Sequence, residues 1–253
     1  MKLLTRLLLA VALLLGNGYA FAKTNSISKL DSLITSDRHL TGFNGLYVSG
    51  PFKVYVEQGI TESVKLEAPA EILDRIVTEV NGGILKISNK HDNWGWGTKS
   101  WYSDKSWWRH HDKIVVHISV KDLNSIKLSG SGEVSFKEGI TADILKLTVR
   151  GSGNINGTIK VKTLQSQISG SGGIKLSGTA ESSTVRLTGS GNFGGPELIT
   201  SNSAVHVSGS GGARINASDS IDAYISGSGG VSYTGTAKIV NSKKSGSGSI
   251  NRF

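Results

Sequence analysis

The residues best suited to chemistry crowd into one segment. His91-Asp92-Asn93-Trp94-Gly95-Trp96-Gly97 is followed by Trp101-Tyr102 and then by Trp107-Trp108-Arg109-His110-His111-Asp112. All five tryptophans of the chain fall between positions 94 and 108. Trp94, Trp96, Trp101, Tyr102, Trp107 and Trp108 could stack on sugar rings or fill a protein interface, because such rings combine a large apolar face with a polar handle. Mixed with Lys99, Lys105 and Arg109, they would also suit a membrane interface. His91, His110 and His111 beside Asp92 and Asp112 have the donor types of a transition-metal site. The competing reading is packing, with the segment folded back as an apolar lid. The six aromatics are the candidate ligand contacts, and neither a metal nor a cofactor is expected.

Catalysis has weaker support. Cleavage of a glycosidic bond needs two converging carboxyl groups, and a calcium-assisted site needs an acid cluster. The acids Glu133, Glu138, Asp143, Glu181, Glu197, Asp219 and Asp222 recur at no common spacing. Ser recurs seven times inside Gly-Ser-Gly, but a nucleophile needs a base and an orienting partner. His206 is the one histidine among those repeats. The Gly-x-Gly spacing also lacks the helix and Lys-Ser/Thr of a phosphate loop. The chain is therefore expected not to be an enzyme, with a polysaccharide-active enzyme or a purely structural envelope protein as the alternatives. The repeated serines are expected to hydrogen-bond to one another along a stack.

The repeat says what must position these residues. Gly-Ser-Gly occurs at Gly130 and Gly132, Gly151 and Gly153, Gly170 and Gly172, Gly189 and Gly191, Gly209 and Gly211, Gly227 and Gly229, and Gly246 and Gly248. The intervals are 21, 19, 19, 20, 18 and 19 residues. Two residues before each motif stand Leu128, Val149, Ile168, Leu187, Val207, Ile225 and finally Lys244. Two residues after it stand Val134, Ile155, Ile174, Phe193, Ala213, Val231 and Ile250. Between them runs a polar series: Lys127, Thr148, Gln167, Arg186, His206, Tyr224, Lys243. Apolar residues alternating with polar ones make half-buried strands, and the glycines make the corners. One such unit cannot close a core. Stacking units in parallel register buries a continuous apolar column. The expected fold is all-β, a single-stranded right-handed parallel β-helix with coils of about 19 residues. Lys243 and Lys244 in the last unit read as a charged cap against end-to-end stacking.

The first half is less regular. Leu46-Tyr47-Val48, Phe52–Val56, Val64-Lys65-Leu66, Ile84–Ile87 and Ile114–Val120 read as strands. Pro69–Ile76 reads as a short helix and Asn81-Gly82-Gly83 as a turn. Val48-Ser49-Gly50 looks like a degenerate corner, 80 residues or about four coils before Gly130. The expected organisation is a leader over 1–22, a flexible or capping segment over 23–42, and one β-helix domain over 43–253 with the Trp-rich loop inserted at 89–112.

Lys2 and Arg6, the apolar run Leu7 to Leu15, and Ala20-Phe21-Ala22 form the three parts of an export signal. The apolar run is short for a membrane span, and none is expected after cleavage. The protein is thus expected in the periplasm, on the outer surface or secreted. The absence of Cys removes disulfides, thiolate chemistry and lipid attachment at a cysteine. The net charge of +9 is carried by Lys and Arg scattered among Asp and Glu, which reads as a solvated surface. Nucleic acid is not an expected partner. A glycan or a cell-envelope protein is, and the oligomeric state stays open.

The order of these elements supports a resemblance. A Phe43–Val48 strand, the Val54–Gln58 strand, Pro69–Ile76, the Asn81–Ile87 turn and strand, and then the train of Ser-Gly corners is similar to the bacterial family described as "putative auto-transporter adhesin, head GIN domain". The likeness spans about residues 43–253. It implies a single-stranded right-handed β-helix and a role in adhesion. The sequence ends on the last repeat, so no barrel-forming segment for self-export is expected.

Overall fold

The computed structural model describes residues 33–90 and 114–253. Five long strands, β9 (Glu133–Gly151), β10 (Asn154–Gly170), β11 (Gly173–Gly189), β12 (Asn192–Gly209) and β13 (Gly212–Gly227), each run almost from one Gly-Ser-Gly to the next. Every one pairs in parallel with its neighbours. Each is therefore a whole coil, and the coils stack as a β-solenoid. The register joins the residues that the repeat aligns. Val149 lies beside Ile168, Ile168 beside Leu187, Leu187 beside Val207 and Val207 beside Ile225. All five are buried, as are Val134, Ile155, Ile174, Phe193, Ala213 and Val231 in the column after the corner. These ladders form one continuous apolar core along the stack.

The two glycines of a corner do different work. Gly170, like the first glycine of the other motifs, has positive φ, here 119°. A side chain would be strained there. Gly172 has no such φ, but a Cβ on it would overlap the carbonyl oxygen of Gly153 on the coil below. It is glycine because successive backbones come that close. The serine between them contributes its backbone. The N–H groups of Ser152, Ser171 and Ser190 donate to the carbonyls of Gly130, Gly151 and Gly170, each at 3.0 Å. The hydroxyls of the seven corner serines make no hydrogen bond, so the expected hydroxyl ladder is not formed. At an exposed corner, water solvates a hydroxyl, while the amide is held by the ladder. Uneven repeat lengths are absorbed away from the corners, as register shifts between Gly157 and Ile159 and between Lys175 and Ser177.

The first coils stack out of chain order. β2 (Gly45–Ser49) pairs in parallel with β8 (Ser125–Gly130) and also with β6 (Ile84–Asn89). β3 (Lys53–Gln58) pairs in parallel with β9 and with β7 (Val115–Val120). The N–H of Gly50 donates to Ser129 at 3.0 Å. Gly50 thus sits one coil from Gly130, not four. Between them the chain detours outward through β4 (Ser63–Pro69), α1 (Ala70–Leu73) and β5 (Ile76–Asn81) before β6 and β7 complete the outermost coil. β4 runs antiparallel to β7, and β5 antiparallel to β6. Gly82 and Gly83, both at positive φ, turn the chain between β5 and β6. β1 (Leu33–Asp37) then runs antiparallel along β4. Antiparallel pairing fills the parallel edge that the outermost coil would otherwise expose.

At the other end, β14 (Gly230–Thr234) pairs with β13 and β16 (Ser249–Arg252) with β14. β15 (Ile239–Ser245) pairs with β13 and is exposed throughout. Lys244 stands opposite Ile225, where each earlier coil has an apolar residue.

Candidate binding surface

The structure brings the fourteen corner glycines into two adjacent lines down the solenoid, with Gly50 at the head of the line of first glycines. Their role is backbone packing. The candidate contacts Trp94, Trp96, Trp101, Tyr102, Trp107 and Trp108 lie outside the described residues. So do His91, Asp92, His110, His111 and Asp112. The flanks of that segment are described. Ser88 on β6 is in register with Ser49, and Val115 on β7 with Lys53. On the next coil the same interval holds only Gly50, Pro51 and Phe52. The insertion therefore occupies, along the chain, the place of a corner.

The strands leading into the corners carry a long outward column. Lys86, Tyr47, Lys127, Thr148, Gln167, Arg186, His206, Tyr224 and Lys243 follow one another in register. The Lys127 ammonium lies 5.0 Å from the centre of the Tyr47 ring, a cation–π contact. The rings of His206 and Tyr224 are 6.0 Å apart and tilted. Two concavities open on this face. One of about 370 Å³ is bordered by Tyr47, Ile84, Lys86, Lys127, Lys146 and Thr148. The other, about 250 Å³, is bordered by Lys146, Gln165, Gln167, Thr184 and Arg186.

A third concavity of about 370 Å³ lies on the face after the corners, near the N-terminal end. Tyr55 stacks on His117 there, with ring centres 5.4 Å apart. His117 Nε2 is 3.8 Å from Glu67 Oε1. Glu57 and Glu138 both border this hollow. Both are exposed, whereas the acid of a glycosidase is desolvated by an apolar pocket. The Ser119 hydroxyl donates to the Thr61 carbonyl at 2.7 Å rather than to His117. No His, Asp and Glu group of three or more is placed to hold a metal among the described residues. No helix among them is long and apolar enough to cross a membrane.

A further charge row runs along the coils near their midpoints. Lys162 Nζ is 2.8 Å from Asp143 Oδ1 on the previous coil. The hydrogen bond that the Lys162 ammonium donates to Asp143 and the charge of Asp143 hold it above its ordinary pKa; desolvation opposes them, and the charge of Glu181 adds a lesser contribution.

Residues 42–237 match the family described as "Putative auto-transporter adhesin, head GIN domain". The chain belongs to this family. Among solved structures, a "putative adhesin" from Bacteroides fragilis NCTC 9343 is similar at 26% identity and a TM-score of 0.77. The match covers 88% of this chain and 97% of that one. A "putative lipid binding protein" from Parabacteroides distasonis ATCC 8503 has the same fold at 22% identity and a TM-score of 0.66, over 88% of this chain and 97% of that one. A "putative adhesin" from the same organism aligns at 22% identity and a TM-score of 0.68, with the same shares covered. Comparison with curated proteins gives no match. The head GIN domain assignment agrees with the β-solenoid and its corner column.

Sequence reasoning missed two things. It did not find the Tyr55–His117 hollow, because those residues are 62 positions apart along the chain. It did not find the true position of β6 either. The signal for that was present, since Ile84–Asn89 (ILKISN) has the same pattern as Ser125–Gly130 (SIKLSG).

Proposed function

We propose that this head GIN domain protein is a non-catalytic binding module of the cell envelope, exported by its first 22 residues, and that it contacts a glycan or a protein partner through its Trp-rich segment at 89–112. The observation that carries the reading is the contrast between scaffold and insertion. Regular coils with buried apolar columns give a rigid rod. A segment holding every tryptophan of the chain replaces one corner of it. Function is commonly placed on long loops borne by rigid scaffolds. The adhesin name of the family and of the Bacteroides fragilis neighbour points the same way.

The test is a glycan array and an envelope pull-down with the protein and with a variant carrying Trp94→Ala, Trp96→Ala, Trp107→Ala and Trp108→Ala. Loss of the recovered ligands with the fold intact supports the reading. Unchanged recovery removes the segment from it. The alternative, polysaccharide cleavage, would have to draw on Glu57 and Glu138, exposed acids that border one hollow. Release of new reducing ends that Glu57→Gln or Glu138→Gln abolishes would establish that reading instead.

A further inference from the structure

The cations of the face before the corners are scattered in sequence and gathered in space. Lys127, Lys146, Arg150 and Arg186 belong to β8, β9 and β11, and parallel stacking sets their outward columns side by side. The coils from β8 through β12 place Ser125, Lys127, Ser129, Lys146, Thr148, Arg150, Gln165, Gln167, Ser169, Thr184, Arg186, Thr188, Ala204, His206 and Ser208 along this face. None is Asp or Glu. The ion pairs among the described residues are His39–Asp37, Lys86–Glu79, His117–Glu67 and Lys162–Asp143. Lys146, Arg150 and Arg186 take part in none of them. Unneutralised like charges in neighbouring rungs repel one another, and a bound anion relieves that repulsion.

We propose that this face is a second binding site, for an acidic polysaccharide lying along the rod axis. Adjacent rungs are about 4.8 Å apart, so Lys127 and Arg186, three rungs apart, span about 14 Å. A chain of several charged sugars fits that reach, and a single small anion does not use it. Between the cations lie Gln165, Gln167 and Thr184, amides and a hydroxyl suited to sugar hydroxyls. The two hollows, of about 370 and 250 Å³, are both bordered by Lys146 and make the face a discontinuous groove. Tyr47, its face already met by Lys127, borders one end. Gln165, Gln167, Thr184 and Arg186 border the smaller hollow, and cations flank both, which suits an anionic polymer chain. Its cations belong to β8, β9 and β11, and none belongs to the Trp-rich segment.

The experiment measures binding of polygalacturonate to the purified protein at low and at moderate salt, with neutral dextran and phosphatidylglycerol vesicles as parallel arms. Lys127→Glu, Lys146→Glu and Arg186→Glu together should lower polygalacturonate affinity by at least about tenfold. Lys160→Glu, Lys175→Glu and Arg214→Glu, with the same change in net charge on other faces, should leave it within about threefold. If the first variant fails a circular-dichroism check, Lys127→Gln, Lys146→Gln and Arg186→Gln replace it, with the same direction expected. Binding should weaken with salt, spare dextran and survive the four-tryptophan variant. Equal losses from the two triple variants would overturn the proposal. So would absence of polygalacturonate binding at low salt, binding to vesicles alone, or loss of binding only with the tryptophans.

Discussion

Gly172 lies where two coils come closest. A methyl added there would overlap the Gly153 carbonyl oxygen and lie 2.8 Å from Val149 Cγ1. That carbonyl cannot swing aside, because it accepts the Gly173 N–H at 3.0 Å in the parallel ladder. Gly172→Ala must therefore spread the coils or bend the corner. Overpacking of this kind costs about 1–3 kcal/mol, and weakening the ladder bond adds about 1. A loss of about 3 kcal/mol is expected. Ser171→Ala, one residue earlier, removes an exposed hydroxyl without a partner and should change stability by less than about 0.5 kcal/mol. Equilibrium urea unfolding followed by circular dichroism checks both, with the slope required to stay constant so that midpoints report stability. A Gly172→Ala midpoint equal to that of the parent would refute the close-stacking argument. So would a Ser171→Ala loss as large as that of Gly172→Ala.

Ser203 is buried with its hydroxyl unpaired, one coil from Ser183 in the same condition. Since burying an unmatched hydroxyl costs about 1–3 kcal/mol, Ser203→Ala should raise the urea midpoint, and a clear fall would show a partner for that hydroxyl. Asp143 holds the Lys162 ammonium above its ordinary pKa. The stabilisation this gives is complete below the ordinary lysine pKa and disappears as pH rises through the raised folded value. Asp143→Asn should return the Lys162 titration, read by NMR at Nζ, toward the ordinary value; an unchanged titration would contradict the pairing. Lys244 interrupts the apolar column that ends at Ile225. Lys244→Ile should make the C-terminal rung adhesive and raise the sedimentation coefficient with concentration, while a strictly monomeric variant would show that the charge is not what keeps this end free.

The regular coils were legible because their period is written in residue type. Val149, Ile168 and Leu187 sit at fixed offsets from glycines that nothing else can replace, so the register followed from the spacing. The first coils were not, because their order in space departs from their order in the chain. Asn89 stands where a corner would show Gly, and β4 and β5 run antiparallel between strands that stack in parallel. Counting 80 residues as four coils assumed a chain that never turns back. The serine hydroxyls were misjudged for a different reason: sequence shows that they recur but not that they face water. The same limit hid the basic groove. Lys127, Lys146, Arg150 and Arg186 look dispersed along a line, and only stacking makes them neighbours. The Trp-rich segment was conspicuous by composition alone.

The stacking order is the claim on which both binding surfaces depend, since it sets what borders the groove and where the insertion leaves the rod. The chain has no cysteine, so nitroxide labels can be placed at will. Labels at Ser49→Cys and Ser129→Cys, partners in adjacent rungs, should show strong dipolar broadening at a backbone separation of about 5 Å, and labels at Ser49→Cys and Ser208→Cys, five rungs apart, should sit about 24 Å from one another. A separation near 19 Å for the first pair, the distance of four rungs in simple chain order, would contradict the account.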